Sequence, residues 1–295
     1  MAVVATGFFD GVHLGHRYLV ERLVAAAREK GTESAILTFW PHPRMVLQKD
    51  ARGLRLLSSR REKEQMLLSL GVDRVETLPF TRKFSKMTAE EYLRDVVKGR
   101  FGAEAIVLGY DNRMGFNSGT PEETAEIAGR AGLEVIRVPA MPGAAISSTR
   151  IRKILSEGDV RGAAAMLGYN YPLYGVVVAG NMLGRRLGYP TANIKLYEPV
   201  KQLPQRGVYL VEAETLGEHF HGMCNVGYRP TVAQNESVTV ETNIFGFDEE
   251  IYGLDLRISF IEKIRDEKKF AGVEELKAQL GRDKEYCLRK IGQHV

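Results

Sequence analysis

Two histidines three positions apart, His13 and His16, lie in a glycine-containing segment at residues 7–16, between a predicted strand and a predicted helix. The first turn of a helix offers free N–H groups and a partial positive charge, and both favour a bound phosphate. Neutral imidazoles beside such a turn can also donate hydrogen bonds to a pentacoordinate phosphate. The spacing therefore predicts phosphate chemistry. The alternative, that both histidines only shape the turn and cap the helix, is disfavoured by the preceding Phe-Asp-Gly.

Polar side chains also follow three later strands of the same half. His42 lies in a stiff Trp-Pro-His-Pro turn after the second predicted strand, and Asp111 and Arg113 lie in a glycine-bounded loop after the fourth. After the fifth strand, the segment 146–152 places hydroxyls at a helix start with arginines just inside, which suits a second anion site. The alternative for that segment is an ordinary Ser/Thr helix cap with solvated arginines. Together, the four strand ends predict a ligand site at one edge of the sheet.

The second half contains a glycine-rich segment, residues 180–193, in which Thr191 and Asn193 stand two positions apart on a short predicted strand. A hydroxyl and an amide oxygen can hold Mg²⁺, which takes few protein ligands and completes its shell with phosphate and water. Glu241 is a carboxylate within an otherwise β-branched strand, where a charge is costly unless it has a partner or a function. The alternatives are a plain hairpin loop with a buried threonine, and a solvent-facing glutamate.

The elements that must position these residues change character near residues 169–172. In the first half, short apolar runs alternate with segments of helical periodicity, which predicts an α/β fold with a doubly wound parallel sheet. The predicted strands are residues 2–6, 34–39, 72–78, 104–108 and 133–138. A helix is predicted at residues 16–29, and two more start with capping-box spacing at Ser59 and Thr88. We interpret the charged run 60–64 as a solvated helix face.

Beyond this change, short β-rich runs are separated by Gly, Pro and Asn clusters, a spacing typical of an antiparallel sandwich or barrel. The predicted strands are residues 173–178, 208–213, 221–226, 238–244 and 252–260, and one amphipathic helix at about 273–291 closes the chain. Residues 151–167 are predicted to form a helical connector. We therefore expect two domains, residues 1–168 and 169–295.

Taken in order, these motifs resemble those of the bacterial bifunctional riboflavin kinase/FAD synthetases over nearly the whole chain. Phe-Asp-Gly-Val-His-Leu-Gly-His and Ile-Ser-Ser-Thr-Arg-Ile-Arg resemble the FMN adenylyltransferase half, of the nucleotidyltransferase superfamily. Pro-Thr-Ala-Asn, Asn-Val-Gly-Tyr-Arg-Pro-Thr and Ile-Arg-Asp-Glu-Lys-Lys-Phe resemble the riboflavin kinase module. The resemblance implies a nucleotidyltransferase domain followed by an antiparallel β-barrel kinase domain with a C-terminal helix. It also implies riboflavin, FMN and ATP as substrates, FMN and FAD as products, and Mg²⁺ as the metal.

The resemblance further implies roles for individual residues. His13 and His16 would stabilise the transition state as the FMN phosphate attacks the α-phosphorus of ATP and releases pyrophosphate. Glu241 would take the proton from the ribityl 5′-hydroxyl as it attacks the γ-phosphate of an ATP that Thr191 and Asn193 hold with Mg²⁺. The other implied site residues are Gly7, Phe9, Asp10, Ser148, Thr149 and Arg150 for ATP, His42, Asp111 and Arg113 for the flavin or nucleotide, and Gly180, Gly184, Arg265 and Phe270 for the kinase flap and flavin.

Composition limits the classes of function. The net charge of +4 is spread along the chain, which indicates weak attraction to phosphate-bearing ligands and no nucleic-acid-binding surface. No Gly-x-x-x-x-Gly-Lys-Ser/Thr segment occurs, so a Walker-type phosphate loop is excluded. No apolar run approaches the ~18 residues that span a membrane, and Cys224 and Cys287 fit no metal or redox spacing. We expect a cytoplasmic enzyme with small-molecule partners and no membrane partner; the sequence leaves its oligomeric state open.

Two other classes of function share part of these features. A nucleotidyltransferase of another specificity, with an appended binding barrel, would share the His-x-Gly-His chemistry but would need neither the Pro-Thr-Ala-Asn segment nor Glu241. A flavin-sensing regulator or RNA-binding protein would be consistent with the slight positive charge, and with Asn112 and Met114, which stand where the family often has aromatic residues. An RNA-binding protein would also be expected to carry an aromatic-rich strand pair or a basic stripe, and the sequence has neither.

Overall fold

The computed structural model describes residues 1–48, 53–116, 119–143, 145–180, 183–229 and 237–292. The chain divides into two compact units, Met1–Ser148 and Thr149–Val295. Four residues of the predicted kinase motifs lie outside the described residues: Asn181, Met182, Pro230 and Thr231. The domain boundary expected at residue 168 stays a prediction.

The first unit is built on five strands: β1 Ala2–Thr6, β2 Glu33–Trp40, β3 Arg74–Pro79, β4 Ala103–Gly109 and β5 Glu134–Val138. They form one sheet in the order β3-β2-β1-β4-β5, and every neighbouring pair is parallel. Alternate residues of β1 pack into two different apolar clusters, Val4 into one and Val3 with Ala5 into the other. A core on each face of the sheet confirms the predicted doubly wound architecture.

The helices of the first unit are α1 Leu14–Lys30, α2 Pro43–Leu47, α3 Arg60–Ser69, α4 Ala89–Glu91 with its π-helical continuation Tyr92–Arg100, and α5 Pro121–Arg130. Short 3₁₀ turns cover Asp10–Val12 and Phe84–Lys86. Both predicted capping boxes are present, at Ser59 and at Thr88. Because α1 begins at Leu14, its first turn carries the second histidine of the predicted phosphate site.

The second unit is a closed antiparallel barrel, so the barrel is confirmed over the sandwich. Its strands are β6 Tyr171–Val178, β7 Ala192–Leu196, β8 Gly207–Thr215, β9 Glu218–Arg229, β10 Ser237–Ile244 and β11 Asp255–Arg265, in the order β10-β7-β6-β11-β8-β9. The start predicted for the last strand, residue 252, is wrong by three residues, because a turn containing Gly253, with φ 77°, precedes β11.

Helices precede, interrupt and follow the barrel: α6 Ser148–Ser156, α7 Val160–Leu167, α8 Leu183–Arg186 and α9 Val273–Gly292. The predicted connector 151–167 is therefore two helices with a break at Gly158, whose φ is 87°. The predicted closing helix is confirmed as α9, which packs Cys287 against Val208, Leu210 and Met223 of the barrel.

Both cysteines, Cys224 and Cys287, are free and buried, and burial raises the pKa of each to about 12. None of the helices described is both long and apolar enough to cross a membrane.

Candidate active sites

The turn between β1 and α1 follows a compact path with positive φ angles at Phe9, 53°, and Gly11, 76°. Glycine adopts this region freely, whereas a phenylalanine there is strained and needs support from its surroundings. The support comes from Asp10, whose Oδ1 accepts hydrogen bonds from the backbone N–H groups of Leu57 and Ser58 at 2.9 and 3.1 Å. Asp10 therefore stabilises the turn, and contact of Phe9 or Asp10 with ATP stays a prediction.

His13 and His16 lie side by side at the N-terminus of α1. Their rings are stacked, with centroids 3.6 Å apart and planes inclined by 12°. Nδ1 of His13 accepts a hydrogen bond of 3.3 Å from the backbone N–H of His16, so His13 is the N-cap of the helix. Nδ1 of His16 is buried and has no hydrogen-bond partner among the described residues. His13 thus shapes the helix start, while His16 keeps an unsatisfied polar atom of the kind that a ligand completes.

Both imidazoles are neutral at physiological pH. Burial lowers the pKa of His13 to about 4. Burial also lowers the pKa of His16 well below its usual value, with smaller contributions from His13 and Lys63. Because Nδ1 of His13 is an acceptor, the neutral ring carries its proton on Nε2. The pair can therefore offer N–H donors to a phosphate without first taking up a proton.

We expect the first unit to lose stability as the pH falls below neutrality. His13 has a pKa of about 4 when folded against an ordinary value of 6.5, so the unfolded chain binds the proton first. Between about pH 7 and pH 5 this difference lowers the free energy of unfolding by roughly 2 kcal/mol. Urea unfolding followed by the fluorescence of Trp40, the single tryptophan of the chain, measures the effect in this unit. His13→Asn should lose less stability over the same pH range. If the free energy of unfolding fell with pH equally in the variant and the wild type, that result would contradict the lowered pKa of His13.

A cavity of about 480 Å³ opens beside this turn. Two of the predicted site residues, Gly7 and Arg113, line it. Its aromatic walls are formed by Phe8, Phe39, Phe80, Phe84, Tyr92 and Phe116. The volume lies in the range of small-molecule sites, and flat aromatic ligands stack well on such walls. Although Asn112 and Met114 also line this cavity, most of the aromatic surface comes from other segments of the chain.

His42 and Asp111, both predicted to face the flavin or nucleotide, lie in different surroundings. His42 packs edge-on against Phe8, with ring centroids 4.2 Å apart, and its Nδ1 accepts a hydrogen bond from the backbone N–H of Arg44 at the start of α2. Asp111 is exposed in the loop after β4. His42 thus supports a wall of the aromatic cavity, and ligand contact by either residue stays a prediction.

The predicted second anion site begins at the N-terminus of α6. The hydroxyl of Ser148 donates a hydrogen bond of 2.9 Å to the carbonyl oxygen of Asp10, which ties the start of α6 to the turn that precedes the histidines. Thr149 and Arg150 follow in the first turn of α6, and both are exposed. The hydroxyl of Thr149 accepts from the guanidinium of Arg152 at 3.3 Å. Phosphate binding by these residues stays a prediction.

Lys63, on α3, is a residue of this site that the sequence analysis missed. The interpretation of residues 60–64 as a solvated helix face is wrong for Lys63, because only 1% of its surface is exposed. Its ammonium donates a hydrogen bond of 2.9 Å to the carbonyl oxygen of Phe8. A signal was present in the sequence: Lys63 stands four positions before the buried Leu67, on the apolar face of the helix.

In the second unit, two cavities adjoin at Thr191. Gly180 and Asn193 line the first together with Thr191, and its volume is about 280 Å³. Gly184 and Glu241 line the second together with Thr191, and its volume is about 230 Å³. A side chain shared by adjoining cavities can contact a ligand in each of them. The arrangement therefore suits the transfer of a group between two bound molecules.

The structure brings together the three residues predicted for the kinase reaction. Asn193 on β7 is the register partner of Glu241 on β10, and Asn225 on β9 is the partner of Glu241 on its other side. Opposed residues in antiparallel strands project to the same face, with Cβ atoms about 4.5–5.5 Å apart. Glu241 is half-buried and, like Asn225, lines the 230 Å³ cavity. Asn225 belongs to a motif noted in the sequence, but no pattern singled it out as a neighbour of the carboxylate.

The glycines predicted for the flap approach the two predicted Mg²⁺ ligands closely. A Cβ at Gly180 would lie 2.1 Å from Nδ2 and 2.8 Å from Oδ1 of Asn193. A Cβ at Gly184 would lie 3.3 Å from Oγ1 of Thr191 and 2.3 Å from a backbone oxygen. The backbone at Gly180 and at Gly184 thus forms a cradle against the hydroxyl and the amide. Within the described residues no group of three or more His, Cys, Asp or Glu side chains could hold a metal, and neutral oxygens with phosphate and water suit Mg²⁺.

We expect Gly180→Ala to slow the predicted phosphate transfer to riboflavin by about 100-fold, because the added methyl group displaces the Asn193 amide and such misplacements are costly. Conversion of FMN to FAD by the same preparation should be unchanged. Gly272→Ala is the matched control, since a Cβ there meets nothing within 4 Å. Initial rates with riboflavin, ATP and Mg²⁺ measure the effect. Equal kinase rates for the two variants would contradict the role of the cradle.

Arg265 and Phe270, predicted to help close over the flavin, line the 230 Å³ cavity at its α9 side. The guanidinium of Arg265 binds both carboxylate oxygens of Asp283 on α9, at 2.8 to 3.1 Å, and Asp283 is only 2% exposed. The centre of the guanidinium lies 5.8 Å from the centroid of the Phe270 ring. Arg265 therefore fixes α9 against the end of β11, and flavin contact by either residue stays a prediction.

Comparison with protein families also divides the chain into two parts, as the two compact units of the structure do. A family model described as FAD synthetase matches residues 1–150, and one described as riboflavin kinase matches residues 167–291. Together with the parallel sheet and the closed barrel, these matches define a chain that joins an FAD synthetase domain to a riboflavin kinase domain.

Relatives that match nearly the whole chain make the assignment more specific. The bifunctional riboflavin kinase/FMN adenylyltransferase of Bacillus subtilis is 35% identical over 98% of this chain and 92% of that protein. The Escherichia coli K12 protein of the same name is 34% identical over 95% of this chain and 90% of its own length. A crystal structure from Streptococcus pneumoniae, described as a macrolide-efflux protein, superposes with a TM-score of 0.88 at 35% identity, covering 96% of this chain and 92% of that chain. The chain belongs to the family of bifunctional riboflavin kinase/FMN adenylyltransferases.

Proposed function

We propose that this protein phosphorylates riboflavin to FMN in its second unit and adenylylates FMN to FAD in its first, using ATP in both steps. The observation that carries the proposal is the convergence of Thr191, Asn193 and Glu241 at two adjoining cavities. The names of the curated relatives include both activities. Riboflavin, FMN and ATP are then the partners, and a cytoplasmic location remains our expectation.

In the kinase step, the 230 Å³ cavity would hold riboflavin and the 280 Å³ cavity would hold ATP, with Thr191 between them. Glu241 would accept the proton of the ribityl 5′-hydroxyl as its oxygen forms a bond to the γ-phosphorus. The bond from the γ-phosphorus to the bridging oxygen breaks, and ADP leaves. Positioning and charge neutralisation account for most of the catalysis in such transfers.

The metal of this step would be Mg²⁺. The Thr191 hydroxyl and the Asn193 amide oxygen would hold it, beneath the backbone of Gly180 and Gly184. When bound, the ion neutralises negative charge on the transferred phosphate group. The two side chains also orient the phosphates toward the cavity that Glu241 lines.

In the adenylylation step, the aromatic cavity of the first unit would hold the FMN ring system, with the FMN phosphate directed to the start of α1. A phosphate oxygen of FMN attacks the α-phosphorus of ATP, the bond to the bridging oxygen breaks, and pyrophosphate leaves. His13 and His16 would donate hydrogen bonds to the charge that develops on the phosphoryl oxygens. No covalent intermediate with the protein is required, since in-line positioning supplies much of the rate.

A time course of flavin products tests the proposal. Purified protein with riboflavin, ATP and MgCl₂ should give FMN first and FAD afterwards, separated by HPLC, and EDTA should stop both products. Failure to form either product would contradict the proposal. Adenylylation or cytidylylation of another substrate, without riboflavin phosphorylation, would instead support a nucleotidyltransferase with a binding barrel.

A further inference from the structure

Lys63 carries a buried charge that neither proposed reaction uses. It lies on the apolar face of α3 with 1% of its surface exposed. A buried ammonium costs free energy unless hydrogen bonds and nearby charges compensate for its lost hydration. A neutral apolar residue at this position would avoid that cost, so the contacts of Lys63 indicate what its charge contributes.

The ammonium of Lys63 joins the ends of two neighbouring strands. It donates to the carbonyl oxygen of Phe8, just after β1, at 2.9 Å, and its distance to the carbonyl oxygen of Phe39 in β2 is 3.5 Å. It also lies 4.0 Å from the centroid of the Phe8 ring, within the range of a cation–π contact. Phe8 and Phe39 both line the 480 Å³ cavity. Lys63 therefore fixes the backbone and the ring of a residue between the aromatic cavity and the histidine turn.

The charge of Lys63 also acts on the histidine pair. Lys63 is one of the groups, after burial and His13, that lower the pKa of His16. The charged groups that act on Lys63 itself are Asp10, Glu64 and Arg60. Burial lowers the pKa of Lys63 to about 8, and the two carboxylates oppose that shift. At neutral pH Lys63 is therefore mostly charged, and its charge adds to the burial that lowers the pKa of His16.

We propose that Lys63 is a positioning residue of the adenylyl-transfer site: its ammonium holds Phe8 at the junction of the cavity and the turn, and its charge acts on His16. Its kinetic consequence rests on the proposed function, whereas its effect on His16 does not. Lys63 does not donate hydrogen bonds to the phosphates in place of the histidines. It contacts Phe8 and changes the electrostatic environment of His16.

The test compares Lys63→Gln with Arg61→Gln, which removes a charge from an exposed position on the same helix. The amide of Lys63→Gln can still donate to the Phe8 carbonyl but carries no charge. We expect its rate of FMN-to-FAD conversion to fall about 10- to 100-fold, as for a misplaced site, with riboflavin phosphorylation unchanged. In an NMR titration of the imidazoles, the pKa of His16 should rise in Lys63→Gln and stay unchanged in Arg61→Gln.

Lys63→Arg, which keeps the charge, should leave the pKa of His16 near that of the wild type, and Trp40 fluorescence reports whether each variant is folded. A wild-type rate in Lys63→Gln would overturn the proposal. So would a slowed variant whose His16 titrates as in the wild type, because that result indicates a structural role alone. A wild-type protein that makes no FAD would contradict the proposed function, while the titration would still decide the role of Lys63.

Discussion

Glu241→Gln is expected to lower the rate of FMN formation from riboflavin by about 1,000-fold, within the range that a general base contributes. Glutamine keeps the size and polarity of the side chain but cannot accept the proton of the attacking hydroxyl at neutral pH. Since Glu241 lies in the second unit and the histidine pair in the first, conversion of added FMN to FAD should continue at the wild-type rate. HPLC of the flavins, with riboflavin or FMN as the starting substrate, measures the two steps separately.

A matched control for this variant is Glu212→Gln, an exposed carboxylate on β8 of the same barrel. It should leave both steps unchanged. Two results would contradict the assignment of Glu241: a kinase rate within a few-fold of the wild type, or an equal loss of both activities in a protein that remains folded. The first would show that the proton is taken elsewhere, and the second that one site serves both reactions.

His16→Ala should have the opposite effect, lowering the rate of FMN-to-FAD conversion by about 100- to 1,000-fold, the usual cost of removing one donor to a developing charge. The effect should fall on kcat more than on KM, because the hydrogen bond strengthens as charge develops in the transition state. Riboflavin phosphorylation should continue, and FMN should accumulate where the wild type makes FAD. Steady-state kinetics with varied FMN separate kcat from KM.

His219→Ala provides the comparison for the histidine variant, since His219 is exposed on β9 and lines none of the three cavities described above. It should leave adenylylation unchanged. If His16→Ala retained adenylylation, the unsatisfied Nδ1 of His16 would need another explanation. If His16→Ala abolished phosphorylation of riboflavin as well, the separation of the two sites would be wrong.

Local patterns predict the first unit closely because its central strands β1, β2 and β4 are short, mostly apolar runs buried on both faces. Val3 and Val4 pack on opposite faces of the sheet, so β1 is apolar up to Thr6 and its ends are easily found. The barrel was harder to predict, because closure depends on the pairing of β10 with β7, and nothing in either segment encodes that register. A sandwich with similar strands would have the same alternation of residues.

The site residues were found by motif spacing, but several of their contacts depend on long-range partners that spacing does not reveal. Asp10 binds the backbone at Leu57, and Arg265 binds Asp283, so both have structural contacts as well as the predicted ligand roles. The aromatic cavity draws Phe80 and Phe84 from a segment with no catalytic pattern. In these cases the fold brings together residues that are far apart in the sequence and that no local sequence pattern connects.

The most direct test of the two-site account is the number of ATP analogues that one chain binds. Isothermal titration with adenylyl imidodiphosphate and Mg²⁺, in the absence of any flavin, counts nucleotide sites without turnover. The histidine turn of the first unit and the cavity between Gly180 and Asn193 should each take one molecule, giving two per chain. A stoichiometry of one per chain would contradict the account, because a single pocket would then have to serve both reactions.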